Sequence, residues 1–416
     1  MPAKRLRDVL DPALAWRATR LLGHVEQSPE RLSAFVDELP GAPGDGVADA
    51  LVRHIAHGQV DEIALDNLRR LAPRAGVLRL LAEHLEAEAD AQRDKWALIL
   101  PAVRRTIEHA SAAGARVMKG FDLRRHYPRP ELRHHGDLDL HFPTVAAAAA
   151  FIRPLRASGW SWFTEELPWL QWDEHGVPFG QCALGRSLPR GLATGADVHI
   201  GPYVVSRDRT LPLVGFEPMT YDGVIVRGLA PETSIALIAA HAVSHGHLRM
   251  KDVNDLAMVA RGRNVDWASA FGLSRAAGVD GAVRQLLHWA ALEYEPLGAP
   301  APGAGDGAGP LPVEPDGDAP AKPWRPRVVA GSAPPPGRRH RWWLVPPSAL
   351  DAAALEPAPE PLSPRTVERL ADELELITCG DAGAVRFAGD AFVPTASGDV
   401  PRASLALALA LDRERG

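Results

Sequence analysis

The chain has 416 residues, 46% of them apolar and 24% charged, with a formal net charge of −6. That length exceeds one typical domain of ~100–200 residues and admits two or three units with a sizeable core. The acidic balance excludes a general attraction to nucleic acid or anionic membranes, and Cys182 and Cys379 are too few and too far apart for a disulfide framework or a CxxC site. The basic N-terminus lacks a secretory apolar region and no apolar run is long enough to span a bilayer, so a soluble cytoplasmic protein is expected. Arginine carries nearly all the positive charge, and lysine stands only at Lys4, Lys95, Lys119, Lys251 and Lys322.

In chain order, residues 1–112 carry the apolar spacing of helices. Ser28 before Pro29 fits an N-cap with proline at the first helical position, and a long amphipathic run opens at 76–81. Residues 115–120 predict a short buried strand ending in glycine, and Pro128 and Pro130 mark a turn before a strand at 136–140. A helix capped by Thr144, filled with alanine and stopped by Gly159 follows; the tryptophan-rich stretch 160–172 then leads back toward a strand at 196–200. Helical spacing returns over 231–289. Residues 296–337, rich in proline, glycine and alanine, predict a linker too poor in aliphatic residues to fold alone. Beyond it, Trp342-Trp343-Leu344-Val345, a helix starting at Ser363-Pro364 and running toward Ile377, and a hairpin over 385–392 predict a small module. The expected division is a helical region 1–112, a catalytic core 113–230, a helical completion 231–295, a linker 296–338 and a C-terminal α/β module 339–416. There is no repeat of solenoid type.

The densest chemistry lies in Gly136-Asp137-Leu138-Asp139-Leu140, answered about sixty residues later by Ala196-Asp197-Val198-His199-Ile200. Side chains alternate across a strand, so Asp137 and Asp139 share one face, as do Asp197 and His199, while the aliphatic residues bury the other. Three clustered carboxylates repel until a cation neutralises them. Oxygen ligands suit Mg²⁺ or Mn²⁺, and two such ions about 3.5–4 Å apart would clamp the attacking and leaving oxygens of a phosphoryl or nucleotidyl transfer. The competing reading is a solvated carboxylate face. Phosphatases and glycosyltransferases also use Asp-x-Asp, but near a domain start or after a nucleotide-sugar fold, whereas about a hundred mainly helical residues precede it here.

His134, His135, His141, His241, His245 and His247 are expected to pack or hydrogen-bond rather than bind zinc, since no glutamate lies between His241 and His245 and no cysteine is near. Asp252 and Asp255 read as helix-surface or capping carboxylates. Trp160, Trp162, Trp169 and Trp172 read as core, with base stacking or an acceptor pocket as the alternative. Arg249 and Lys251 divide evenly between phosphate or acceptor contacts and a solvated helix face.

Taken in order, Lys119-Gly120, Tyr127-Pro128, Arg133, Gly136-Asp137-Leu138-Asp139-Leu140, Asp197-Val198-His199 and the helical segment from His241 to Asp255 resemble the bacterial uncharacterised nucleotidyltransferase family, within the superfamily of polymerase-beta-like catalytic folds. The resemblance covers roughly 76–267. It implies an α+β fold in which a nucleotidyltransferase-like mixed sheet is flanked by helical N-terminal and back regions, with the small C-terminal module added. It implies a Mg²⁺- or Mn²⁺-dependent transfer of an NMP from an NTP to a hydroxyl, releasing pyrophosphate. Asp137 and Asp139 would hold the metals, and Asp197 would complete the metal site and activate the hydroxyl. Lys119, Gly120, Arg133, Gly136, His199, Arg249 and Lys251 would face the nucleotide. Family members often sit beside natural-product or peptide-modification genes, so a small-molecule, peptide or protein acceptor is expected, in specialised metabolism; a nucleic-acid acceptor would need a basic track that is missing. One departure stands out: relatives outside this branch carry Gly-Ser where this chain has Lys119-Gly120, so no serine contact to phosphate carries over. The alternative is a catalytically silent nucleotide-binding or scaffold module of the same fold.

Overall fold

The computed structural model describes residues 12–25, 27–36, 45–71, 77–133, 136–163, 166–206, 209–294, 297, 326–330, 335–338, 341–350, 365–396 and 399–414. The fold is α+β, as the resemblance implied. The front is helical: α1 (Pro12–Leu22), α2 (Pro29–Val36), α3 (Asp45–Gly58), α4 (Asp61–Leu71) and α5 (Val77–Ala112). Ser28 Oγ accepts the Arg31 N–H at 3.2 Å ahead of α2, and α4 puts Asp61 and Glu62 in its first turn and Arg69 and Arg70 in its last, where the backbone dipole favours them. The 36-residue α5 serves two cores. Its first half buries Leu78, Leu81 and Leu85 among the helices, and its second half buries Ile99, Val103 and Ile107 against the sheet.

The sheet region follows: β1 (Arg116–Val117), α6 (Lys119–Leu123), β2 (Leu138–Phe142), α7 (Val145–Ala157), β3 (Ser161–Trp162), β4 (Trp169–Trp172), β5 (Pro178–Ser187), β6 (Ala193–Ile200), β7 (Tyr203–Ser206), β8 (Arg209–Leu211), β9 (Phe216–Tyr221) and β10 (Val224–Leu229). Thr144 caps α7 by accepting the Ala147 N–H at 3.2 Å, and Gly159 takes φ +90° just past its end. The helices α8 (Pro231–Ser244), α9 (Met250–Gly262), α10 (Trp267–Ala276) and α11 (Asp280–Glu293) form the back, with α8 and α9 buried nearly all round. The C-terminal part holds β11 (Arg327–Val329), β12 (Trp342–Val345), β13 (Thr366–Ala371), β14 (Leu374–Cys379), β15 (Ala382–Phe387), β16 (Asp390–Thr395), β17 (Asp399–Pro401) and α12 (Arg402–Arg413).

One thirteen-stranded sheet runs β13-β14-β15-β16-β12-β4-β5-β6-β2-β1-β10-β9, with β3 beside β5. Its β2–β6 and β1–β10 pairs are parallel, while β7–β8 and β11–β17 pair separately. Strand β12 lies between β4 and β16, so residues 342–345 sit mid-sheet, and Trp342 packs edge-on against Trp172 with ring centroids 4.6 Å apart. The aromatic core under the sheet includes Phe142 of β2 and Trp162 of β3, with Trp342, Phe387 and Phe392 from the C-terminal part.

One expectation about the C-terminal part fails. The helix running toward Ile377 is the hairpin β13–β14: Leu376 enters one core and Ile377 the other, a two-residue alternation, and Glu373 turns the chain at φ +67°. Pairing with β14, whose Leu374, Leu376 and Ile377 are buried, overrides the helix-favouring glutamates and leucines. The closing helix α12 was not anticipated. Most of the expected linker, residues 298–325, lies outside the described residues, as do Ser363, Pro364, His134 and His135. The hairpin over 385–392 is β15–β16, with Val385 opposite Phe392.

Candidate active site

Parallel pairing of β2 and β6 places Asp139 opposite Asp197 and His141 opposite His199. Asp139, Asp197 and His199 converge, each offering a ligand atom within 4.8 Å of the others. Lys119 Nζ donates to Asp139 Oδ1 at 2.6 Å, and His199 Nε2 lies 3.3 Å from the same oxygen. Lys119 is set there by its backbone. It holds φ +51°, a left-handed conformation costing a side-chain-bearing residue roughly 1–2 kcal/mol, directly after Met118 donates its N–H to Asp139 O at 3.1 Å. Gly120 follows, buried in α6.

Charge in this cluster is unevenly shared. Burial would raise the Asp139 carboxyl, but Lys119 and His199 hold it well below the usual carboxylate range. Burial and the negative charge of Asp139 push Asp197 up to about 7. Burial, with Lys119, pushes His199 down to about 4, so its imidazole is neutral near pH 7. For Lys119 burial acts downward and Asp139 outweighs it, keeping the ammonium charged. Two carboxylates and a neutral imidazole at this separation fit a divalent cation: the oxygens suit Mg²⁺ or Mn²⁺, and the nitrogen is accepted more readily by Mn²⁺. The converging set thus differs from the three carboxylates expected. Asp137 stands in a bend before β2, exposed, at the same cavity but outside the group, whereas His199 follows Asp197 by two residues on one strand face.

A cavity of about 780 Å³ covers this cluster, within the range of sites for small ligands. Every residue expected to face the nucleotide lines it: Lys119, Gly120, Arg133, Gly136, His199, Arg249 and Lys251. Their states differ. Arg133 is clamped on Asp255, with Nε 2.6 Å and Nη2 2.9 Å from the two carboxylate oxygens, and Tyr127 OH donates to Asp255 at 2.8 Å. This buried tie pins the segment before β2 to α9, so Asp255, 1% exposed, is neither a surface nor a capping carboxylate. Asp252 does cap, accepting the Arg249 N–H at 2.8 Å, and it also takes Lys251 Nζ at 2.9 Å. Lys251 is therefore buried rather than on a solvated face.

His241 and His245 line the cavity with ring centroids 4.4 Å apart, and burial lowers the pKa of both. His141 is buried against Phe216, its Nε2 2.8 Å from Gly201 O. Trp160, Trp162 and Trp172 are core; Trp169 instead lines the cavity. Sequence reasoning missed Asp122, Glu166, Gln181, Tyr203, Arg341 and Trp343, all on the cavity wall. The repulsion of Asp197 by Glu166 and the placement of Arg341 and Trp343 depend on pairings that no local motif reveals.

Among the described residues, no helix is long and apolar enough to cross a membrane. Comparison with curated proteins gives no match. The family described as "Uncharacterised nucleotidyltransferase" matches residues 46–294, more than half of the chain and the whole set of converging residues. With its carboxylates paired across parallel strands beneath one cavity, the chain belongs to the uncharacterised nucleotidyltransferase family.

Proposed function

We propose that the protein transfers an NMP from an NTP to a hydroxyl of a small-molecule, peptide or protein acceptor, releasing pyrophosphate, with Mg²⁺ or Mn²⁺ held by Asp139, Asp197 and His199 and with Asp137 at the rim. The observation that carries this reading is the in-register pairing of Asp139 and Asp197 inside a cavity that also presents Lys119. A bound divalent cation would neutralise phosphate and carboxylate oxygens together. Lys119 places a fixed positive charge beside the phosphates, and Arg249, at the N-cap of α9, adds a second cation, while Lys251 lines the same cavity with its charge matched by Asp252. The acceptor hydroxyl gives its proton to Asp197 as its oxygen bonds to the α-phosphorus. The bond to the bridging oxygen breaks, and pyrophosphate leaves with that electron pair.

Calorimetric titration with ATP, CTP, GTP and UTP, with and without Mg²⁺ or Mn²⁺, tests the site. Metal-dependent binding of one or more nucleotides is expected, weakened at least tenfold in Asp139→Asn with Asp197→Asn while the far-ultraviolet circular dichroism stays unchanged. Equal binding by the double variant would remove the carboxylates from the site. One observation favours a second reading, a silent nucleotide-binding module: Asp139 Oδ1 already engages both Lys119 and His199. Pyrophosphate release in the presence of acceptors decides between the two.

A further inference from the structure

The cavity continues past the carboxylates along the sheet. Across successive strands His199 pairs with Gln181, Gln181 with Trp169, and Trp169 with Trp343, and all four line the cavity. Directly paired residues share a face, and three strand spacings set Trp343 roughly 14 Å from His199. Lys119 and Gly120 lie on the other side of the carboxylates, just after β1, the neighbour of β2. An in-line displacement puts the attacking and leaving oxygens on opposite sides of the phosphorus. With the leaving phosphates at the Lys119 end, the hydroxyl arrives from the end formed by Gln181, Trp169 and Trp343.

At that end the Arg341 guanidinium carbon stands 4.2 Å from the Trp169 ring centroid and 5.8 Å from that of Trp343. Two indoles and a planar cation on one cavity wall favour flat aromatic rings over aliphatic chains. Arg341 and Trp343 both lie beyond residues 46–294, so this wall is added by the C-terminal segment to the region the family shares.

Resting on the nucleotidyl-transfer reading, we infer that Trp169, Arg341 and Trp343 form the acceptor subsite and that the acceptor is a hydroxyl compound carrying an aromatic ring. The ring stacks on this wall while the hydroxyl reaches Asp197. The new bond joins the acceptor oxygen to the α-phosphorus, the bond from that phosphorus to the bridging oxygen breaks, and the hydroxyl proton passes to Asp197.

Two probes that differ only in a ring, N-benzoylserinamide and N-acetylserinamide, test this on the full chain by ligand-observed NMR without nucleotide. The benzoyl probe is expected to bind at least tenfold tighter, to lose that advantage in Trp343→Ala and to keep it in Trp343→Phe, with circular dichroism showing both variants folded. Equal binding of the two probes, or an advantage that survives Trp343→Ala, overturns the inference. The other source of a flat ring is the nucleobase: if Trp343→Ala weakens Mg²⁺-ATP tenfold and leaves Mg²⁺-tripolyphosphate unchanged, the wall holds the base and the acceptor assignment falls. Failure of the nucleotidyl-transfer reading itself would appear separately, as no metal-dependent NTP binding by the unaltered chain.

Discussion

Asp122 lies outside the short motifs that carry the resemblance, yet it is fully buried in the cavity wall, where it accepts the Leu229 N–H at 3.3 Å and faces Arg125 Nε at 3.0 Å without hydrogen-bond alignment. Burial, only partly offset by Arg125, pushes its carboxyl up to about 7. A carboxyl whose folded pKa is raised contributes stability that is complete below its unfolded value and is lost as pH rises through the folded one. The unaltered chain is therefore expected to lose up to about 1.4 kcal/mol per pH unit relative to Asp122→Asn between roughly pH 4 and 7. Urea unfolding of both proteins across that interval measures the difference; a constant gap would mean that Arg125 keeps Asp122 charged throughout. At this scale the sequence was legible where function needs neighbours in sequence. Asp139, Asp197 and Lys119 could be read from short motifs. His199 was read as facing Asp197 or the nucleotide, and its contact with Asp139 appears only through the strand pair. Asp122, a lone acid between Phe121 and Leu123, carries no pattern.

Between the elements β4 and β5, Gly180 leaves no room for a side chain. A Cβ there would stand 2.1 Å from Trp169 O, a backbone atom that cannot swing away. Gly180→Ala is expected to push β4 off β5, lower stability by about 1–3 kcal/mol and alter the near-ultraviolet signal of Trp169, Trp172 and Trp342. Denaturant melts with near-ultraviolet circular dichroism check this, and an unchanged midpoint would show that the strand pair can absorb the methyl group. Helices α2 and α7 were readable because their end signals are local: Ser28-Pro29, Thr144 and Gly159 each mark an end. Strand β13 was misread because its residues 366–371 include good helix formers, and only pairing with β14 supplies the reason to extend. Strand β12 was seen as an apolar run, but its position between β4 and β16 is set by contacts across the chain.

Across the whole molecule, the C-terminal strands complete a core begun by the family-matched region. Trp342, Leu344, Phe387 and Phe392 are each at most 1% exposed and share a core with Trp162, Phe142 and Ile200. At roughly 1.5–3 kcal/mol for each buried large apolar side chain, these four contribute about 6–12 kcal/mol, comparable to the ~5–15 kcal/mol that stabilises an ordinary domain. A chain ending at residue 297, though it retains all of 46–294, is expected to bind hydrophobic dyes and to aggregate. A monomeric, cooperatively unfolding fragment in size-exclusion and melting experiments would show the C-terminal part to be dispensable for folding. The central position of β12 also has a consequence in time. It follows β4 by about 170 residues, so at synthesis rates of about 5–20 residues per second the β4 edge waits roughly ten to thirty seconds on the ribosome for its partner. During that interval the indoles of Trp169 and Trp172 border an open ladder able to pair with another nascent chain, and the emergence of residue 345 ends the exposure.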